Sequence, residues 1–232
     1  MSFMIVASAL DQAAAALATS WEKYGAVLVT PRLLSERGWK YEVGQAGLSR
    51  GVGHRGPFEA ASIRCAYSRL TIVGDHDVRH IMPEDRRYVA AEMQAFLVAW
   101  LTEIPCPVLN APTPISLAGP GWTSHRWTSL ATEADFPLSL SGEASAWDFD
   151  RPPGFVPRHL SVIDGKVAQD CPDFIRQRCA RLAGLADIPL FTVSIDDVGH
   201  YRAACDGLAV LDEPTERNLF DCMSRTAGLV GV

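Results

Sequence analysis

The sequence predicts an α/β protein in which an N-terminal lobe contains a parallel sheet and a reduced C-terminal lobe is of the α+β type. Three observations indicate this fold class. Two short apolar runs, residues 3–7 and 26–30, flank an Ala-rich helical segment, and such a strand–helix–strand unit implies parallel pairing. Residues 83–103 have the apolar periodicity of a helix. Residues 159–168 place an Asp-Gly turn between two short strands, which is typical of a β-hairpin.

The predicted N-terminal lobe covers residues 1–116. Asp11 or Ser8 can cap its first helix, and Gly25 ends that segment. The Gly-rich stretch at residues 44–57 is expected to be a surface loop. It contains a G-x-G-x-x-G pattern, but a dinucleotide site requires a helix directly after this pattern, and here a proline and a strand-like segment follow.

The helix predicted over residues 83–103 presents one apolar face. Val89, Met93, Phe96 and Trp100 recur at helical spacing along it. We therefore expect these four side chains to form a buried stripe that packs into the core of the N-terminal lobe.

The rest of the chain divides into a linker and a smaller lobe. Residues 117–157 are predicted to contain a helix followed by a Pro-rich excursion, and residues 158–232 form the reduced C-terminal lobe. Beyond its hairpin, that lobe is expected to contain helices and strands at residues 172–186, 189–195, 207–211 and 216–227.

Composition and charge exclude several classes of protein. The chain has 232 residues, of which 48% are hydrophobic and 21% charged, so it is globular rather than disordered. Its net charge is −6 and it has no basic cluster, which argues against nucleic-acid binding. The longest strongly apolar stretch, residues 93–101, is half the length of a membrane span, and the six cysteines form no disulfide framework. We expect a cytoplasmic protein; a homo-oligomer is left open.

Two kinds of side-chain pair could bind a metal. His76 and His80 have the spacing of a helical metal pair, but they precede a helix-starting proline, so we interpret them as solvated loop residues. Asp196-Asp197 and Asp212-Glu213 each follow a predicted strand and could hold Mg²⁺, although an isolated pair of this kind is more often a solvated strand end.

Two stretches resemble the ATP-grasp proteins, in particular the glutathione-synthetase and ribosomal-modification type. Residues 83–122 resemble their N-terminal, pre-ATP-grasp lobe. The positions that carry this resemblance are Asp85-Arg86, residues 92–96 (E-M-Q-A-F) and residues 110–112 (N-A-P). More weakly, residues 159–167 and 194–215 are similar to a hairpin and to the final strands of the ATP-grasp fold.

The resemblance implies that ATP and Mg²⁺ could be cofactors. In this family the nucleotide lies between two sheets, with cations on its phosphates and carboxylates on its metal ion, because phosphoryl transfer depends on charge neutralisation. The cations that could contact the phosphates here are Arg151, Arg158 and Lys166. The carboxylates that could hold Mg²⁺ are Asp196, Asp212 and Glu213. No catalytic residue is assigned.

The chain also departs from the family pattern. Between Leu109 and Lys166 there is no lysine, and this interval is too short for a complete nucleotide lid. One hypothesis is therefore a degenerate, non-catalytic ATP-grasp-like protein that binds a peptide or protein partner and is associated with peptide modification. The alternative is an active ATP-dependent carboxylate–amine ligase with a minimal site.

Overall fold

The computed structural model describes residues 2–138 and 157–228. The strands are β1 Phe3–Val6, β2 Val27–Val29, β3 Arg50–Gly53, β4 Gly56–Glu59, β5 Cys65–Ser68, β6 Val108–Leu109, β7 Arg158–Ile163, β8 Lys166–Val167, β9 Leu190–Ile195 and β10 Tyr201–Asp206. The α-helices are α1 Gln12–Ser20, α2 Arg86–Glu103, α3 Ser124–Glu133, α4 Asp173–Ala186 and α5 Glu213–Thr226. The predicted α/β fold class is confirmed. The chain divides into two compact units, Met1–Gly121 with Met223–Val232, and Trp122–Cys222.

The sheet of the first unit has four parallel strands in the order β2-β1-β5-β6. All four side chains of the central strand β1 are fully buried. The chain leaves β1 in one direction to form β2 and continues on its other side with β5, so the order reverses between β1 and β5. In open α/β sheets the carboxyl ends of the strands beside such a reversal are the usual place for polar groups that bind ligands.

The helix α1 begins as the sequence predicted. The Asp11 carboxylate accepts a hydrogen bond from the backbone N of Ala14 at 2.9 Å, so Asp11 rather than Ser8 is the N-cap. The helix ends at Ser20, and Gly25, with a φ of 74°, ends the short 3-10 helix that follows.

The buried stripe of α2 differs from the predicted one. The buried side chains of α2 are Ala90, Leu97, Trp100 and Leu101. The prediction is thus right for Trp100 and wrong for Val89, Met93 and Phe96, which are only partly buried. Two neighbouring arcs of this helix are apolar, and spacing alone did not distinguish the arc that enters the core from the arc beside it.

The prediction of a loop over residues 44–57 is wrong in its second half. Strands β3 and β4 pair there as an antiparallel hairpin. Gly51 and Gly53 permit close packing: a Cβ at Gly51 would lie 2.4 Å from the Phe58 ring, and a Cβ at Gly53 would lie 2.2 Å from Val27. These glycines therefore allow close packing of side chains against the hairpin. The segment that follows them is a strand and not the helix that a dinucleotide site requires.

The second unit contains an antiparallel sheet in the order β10-β9-β7-β8. The predicted hairpin is present: Asp164 and Gly165 have φ values of 49° and 74°, which a two-residue type I′ turn requires. One face of this sheet is apolar and packs against α3 and α4. Its central residues are Leu160, Val162, Phe191, Val193 and Ile195.

The strand predicted at residues 207–211 is wrong. The last strand is β10, which ends at Asp206, and Gly207 follows it with a φ of 74°. Residues 207–212, called the strap below, leave the sheet edge instead of continuing the ladder. Residues 207–211 (G-L-A-V-L) form an apolar run of the kind that is typical of a buried strand, which explains the wrong prediction.

Residues 139–156 lie outside the described part of the chain, and with them most of the predicted Pro-rich excursion and Arg151. Within residues 2–138 and 157–228, the structure contains no helix that is both long and apolar enough to cross a bilayer.

Candidate functional site

The second face of the antiparallel sheet carries polar side chains. Ser161, Thr192 and Ser194 are buried and point away from the apolar core, because side chains alternate between faces along a strand. Asp196 follows Ser194 at the end of β9 and is 7% exposed. Lys166, Asp196 and Asp212 lie on or beside this hydroxyl-rich face, and Glu213 follows Asp212 at the start of α5. Arg158 belongs by its register to the opposite face. The hydroxyl-rich face is the candidate site.

The strap occupies two of the three hydroxyl groups. Thr192 Oγ1 donates to the carbonyl oxygen of Gly207 at 3.1 Å and accepts from the backbone N of Ala209 at 2.9 Å. Ser161 Oγ donates to the carbonyl oxygen of Val210 at 3.3 Å. The strap thus crosses β9 and β7. The side chains of Thr192 and Ser161 hydrogen-bond the backbone groups of the strap that a neighbouring strand would otherwise pair with.

The third hydroxyl group, that of Ser194, is different. Its buried Oγ has no hydrogen-bond partner among the described residues. His159 lies directly opposite on β7. Buried hydroxyls are nearly always hydrogen-bonded, so Ser194 is the exception among the three hydroxyl groups described here.

Asp196 is engaged in the turn that joins β9 to β10. Its Oδ1 accepts from the backbone N of His200 at 2.7 Å and of Val198 at 3.2 Å. Its Oδ2 lies 3.3 Å from Nδ1 of His200. The carboxylate therefore closes a tight turn through Oδ1, which accepts both backbone hydrogen bonds.

Asp212 is the residue before α5 and caps that helix. It accepts from the backbone N of Thr215 at 3.0 Å and from Nε2 of Gln169 at 3.1 Å. Burial raises the pKa of Asp212, but the hydrogen bonds from Thr215 and Gln169 outweigh this effect, and the pKa lies below its ordinary value. Glu213, the first residue of α5, is exposed and forms an ion pair with Arg217 at 2.6 Å.

Gln169 links the cap to the sheet, and sequence reasoning missed it. Its Oε1 accepts from the backbone N of Ser161 at 2.7 Å, and its Nε2 donates to Oγ1 of Thr215 at 2.8 Å as well as to Asp212. A single glutamine after a hairpin gives no signal in a sequence. The Asp-x-x-Thr spacing at the start of α5, with a proline in its first turn, could have indicated that Asp212 is a cap.

Asp196 and Asp212 do not converge. Gln169 ties Asp212 to Ser161, whose cross-strand partner is Thr192. Thr192 lies four residues before Asp196, which is roughly 13 Å along a strand. A shared Mg²⁺ would need an oxygen from each carboxylate at about 2.0–2.1 Å. Among the described residues there is no cluster of three or more His, Cys, Asp or Glu side chains able to hold a metal ion.

The two described cations are also apart. Arg158 begins β7 opposite Ile195, and its Nη2 donates to the carbonyl oxygen of Asp170 at 2.7 Å. Lys166 pairs with Ile163 at the other end of β7. Five residues of strand separate these ends, about 17 Å. By register, Arg158 shares its face of the sheet with Leu160, whereas Lys166 lies opposite Ile163 on the hydroxyl-rich face. The described carboxylates and cations therefore do not fit a single Mg²⁺–nucleotide group, and no reaction step is assigned to them.

The carboxyl edge of the parallel sheet contains a second polar cluster. Arg69 Nε lies 2.7 Å from Asp11 Oδ2, and both side chains are largely buried. Burial lowers the pKa of Arg69, but Tyr67 and Asp11 together outweigh this effect and raise it, so the guanidinium stays charged. Ser8 Oγ donates to Asp77. His76 contacts Asp77, while His80 pairs with Ser35, so the two histidines do not share a metal site.

Comparisons with known proteins establish the fold. No protein-family model and no curated protein matches the chain. Among solved structures, the macrocyclase MdnC bound with precursor peptide MdnA from Microcystis aeruginosa matches with a TM-score of 0.71 and 10% identity, over 97% of this chain and 100% of that chain. The ATP-grasp ligase PsnB complexed with precursor peptide PsnA2 and AMPPNP matches with a TM-score of 0.62 and 14% identity, over 97% and 98%. The macrocyclase MdnB from Microcystis aeruginosa gives 0.60 and 12%, over 100% of both chains. The chain therefore has the ATP-grasp fold that the sequence resemblance implied.

Proposed function

We propose that this chain is a non-catalytic protein of the ATP-grasp fold that binds a peptide and takes part in peptide modification without ligating. The observation that carries the proposal is the use of both predicted metal-binding carboxylates in local structure. Asp196 closes a turn and Asp212 caps a helix. A metal ion at either position would compete for carboxylate oxygens that accept hydrogen bonds from the turn or from α5.

The charge arrangement supports the same conclusion. Phosphoryl transfer is catalysed by cations and metal ions that converge on the transferring group. Arg158 and Lys166 lie at opposite ends of β7 and, by their register, on opposite faces of the sheet. The strap also covers Ser161 and Thr192, at the middle of the hydroxyl-rich face.

The proposed partner is a peptide. MdnC and PsnB have the same fold, and their structures contain precursor peptides. The fold thus supports peptide binding in related architectures, and binding a peptide requires neither Mg²⁺ nor a phosphate site. A reducing, cytoplasmic location is proposed as well, since Cys106, Cys171, Cys179 and Cys205 are free thiols.

A thermal-shift titration with ATP and Mg²⁺ tests the non-catalytic proposal. A ligand present at 100 times its dissociation constant stabilises the native state by about 2.7 kcal/mol, which is a clear rise in melting temperature. We expect no rise up to millimolar ATP–Mg²⁺, and no ADP release. A rise, with ADP release that Lys166→Ala abolishes, would establish the alternative, an active carboxylate–amine ligase using the minimal site. Lys40→Ala is the matched control, since it removes an exposed lysine that pairs with Glu42 and is not among the predicted site residues.

A further inference from the structure

A groove of about 340 Å³ lies beside α2 in the first unit. It runs between this helix and the segment that includes the 3-10 helix Pro31–Ser35. The residues that line it are Leu34, Trp39, Tyr88, Val89, Glu92, Met93 and Phe96. Three of these are the α2 side chains that the sequence predicted to be buried and that the core leaves partly exposed.

The aromatic wall of the groove is held in place before anything binds. Trp39 packs edge-to-face against Phe96, with ring centres 5.6 Å apart, and against Trp100 at 5.3 Å. Its Nε1 donates to the carbonyl oxygen of Leu33 at 2.8 Å. A fixed aromatic wall costs little conformational entropy on binding, which favours a docking surface over a packing defect.

The dimensions fit side chains rather than a cofactor. Tyr88 and Phe96 are two helical turns apart on α2, about 12 Å. A volume of 340 Å³ is near the lower limit of ligand sites. One or two apolar side chains of a peptide would fill it, and its lining offers no cation for the phosphates of a nucleotide.

The negative charge of the groove favours a basic partner. Glu92 is the one charged residue of the lining, and it makes no ion pair or hydrogen bond within the described part of the chain. Its neighbours one turn before and after are Tyr88 and Phe96, so the carboxylate stands between aromatic rings. A Lys or Arg side chain there would gain both a carboxylate partner and cation–π contacts.

A second copy of the chain fits this surface less well. A two-fold contact through the groove would bring two Glu92 carboxylates towards each other, because an isologous interface presents the same patch on both subunits. The lining has no cation to compensate them. Tyr88 is 68% exposed, which leaves an aromatic ring on the surface beside the carboxylate.

We propose that the α2 groove docks a peptide segment that carries an apolar side chain next to a Lys or Arg, with the basic group on Glu92 and the apolar group between Trp39 and Met93. This inference rests on the proposed peptide-binding function and assigns that function to a surface of the first unit rather than to the hydroxyl-rich face of the second.

The probe is a phage-displayed library of random 12-residue peptides, selected on the immobilised full chain. Enriched peptides are synthesised with a fluorescent label, and their dissociation constants are measured by anisotropy. We expect apolar–basic pairs among them, and at least tenfold weaker binding to Glu92→Lys. A peptide whose basic residue is replaced by Glu should regain affinity for Glu92→Lys. Tyr88→Ser should weaken binding at least threefold, while Ala91→Lys, an exposed change on α2 outside the groove, should leave it unchanged.

The outcomes separate this inference from the proposed function. Enriched peptides that bind wild type, Glu92→Lys and Tyr88→Ser equally would overturn the groove and leave peptide binding standing. A library that yields no specific peptide would overturn the peptide-binding function, and the groove with it. Sedimentation that shows a dimer, dissociated by Tyr88→Ser but not by Ala91→Lys, would assign the surface to a second copy instead. Circular dichroism melting confirms that each variant is folded.

Discussion

The two sheets of this protein differ in where their polar side chains lie. In the parallel sheet, β1 is fully buried along its length, and polar groups stand beyond the carboxyl ends of the strands, where Arg69 pairs with Asp11. In the antiparallel sheet polar side chains lie along one face, with Ser161, Thr192 and Ser194 buried on it. The difference follows from coverage: parallel strands are covered on both faces and leave polar groups only at their ends, whereas an antiparallel sheet can have a polar face.

A polar face that is buried has to be satisfied by something. Here the strap satisfies Ser161 and Thr192 with its own backbone. In the same way Asp196 and Asp212 are satisfied by a turn and a helix end. Polar residues at positions typical of a binding site can therefore be used to hydrogen-bond nearby backbone instead. The position of a polar residue in the sequence does not distinguish a structural role from a binding role.

The largest expected effects are equal in the two units, because both have an apolar core. Trp100 and Trp127 are each buried to 1% exposure or less, one in each core. Trp100→Ala and Trp127→Ala should each lower the free energy of unfolding by about 3–5 kcal/mol, from lost contacts and the cavity left behind. Urea denaturation measures this. A near-wild-type value for either would show that its core is not packed as described; Tyr88→Ala, on the exposed side of α2, is the control.

The next effect belongs to the edge of the parallel sheet. Arg69→Met leaves the Asp11 carboxylate largely buried without its partner, and we expect a loss of about 3 kcal/mol. The matched control is Arg50→Met, which breaks an exposed pair with Glu59 and should cost at most about 1 kcal/mol. Equal losses from the two variants would contradict the special weight of the Arg69–Asp11 pair.

A smaller effect distinguishes two hydroxyls on the same strand of the antiparallel sheet. Thr192→Val keeps the shape of the side chain but leaves the backbone groups of Gly207 and Ala209 without partners, at about 1–3 kcal/mol. Ser194→Ala removes a hydroxyl that has no hydrogen bond in the described chain, and should change stability by less than about 0.5 kcal/mol. If Ser194→Ala costs as much as Thr192→Val, its hydroxyl has a partner, and the account of this face must change.

The smallest effect depends on pH. The pKa of Asp212 is lower in the folded chain than in the unfolded chain, so the charged carboxylate stabilises the fold above its unfolded pKa of about 3.9, and this contribution is lost as the pH falls through the folded value. Asp212→Asn keeps the cap but not the charge, and should cost about 0.5–1 kcal/mol at pH 7. The difference from wild type, measured by chemical denaturation, should shrink as the pH falls below about 3.9. Glu213→Gln, one residue later, is the control and should differ by less than about 0.5 kcal/mol at either pH.

Local signals in the sequence predicted local structure well. The Asp164-Gly165 turn and the Asp11 cap depend on residues within a few positions of one another, and both are present. The strap was mistaken for a strand because its backbone hydrogen-bonds to side chains that are distant in the sequence. An apolar run does not indicate which groups its backbone will bond to. Gln169 is the same case: its contacts with Asp212 and Thr215 span more than forty residues, so only the folded chain reveals them.

The order of strands in the first unit also affects how the chain is made. Phe3 in β1 pairs with Cys65 in β5, so more than sixty further residues must be synthesised before β1 can pair with β5. In the second unit, by contrast, Ile195 pairs with Tyr201 across a short turn. Distant pairings close long loops and form slowly, while local ones form quickly. A newly synthesised chain therefore carries its most apolar strand incompletely paired until β5 has left the ribosome, and that interval is when it is most exposed to aggregation.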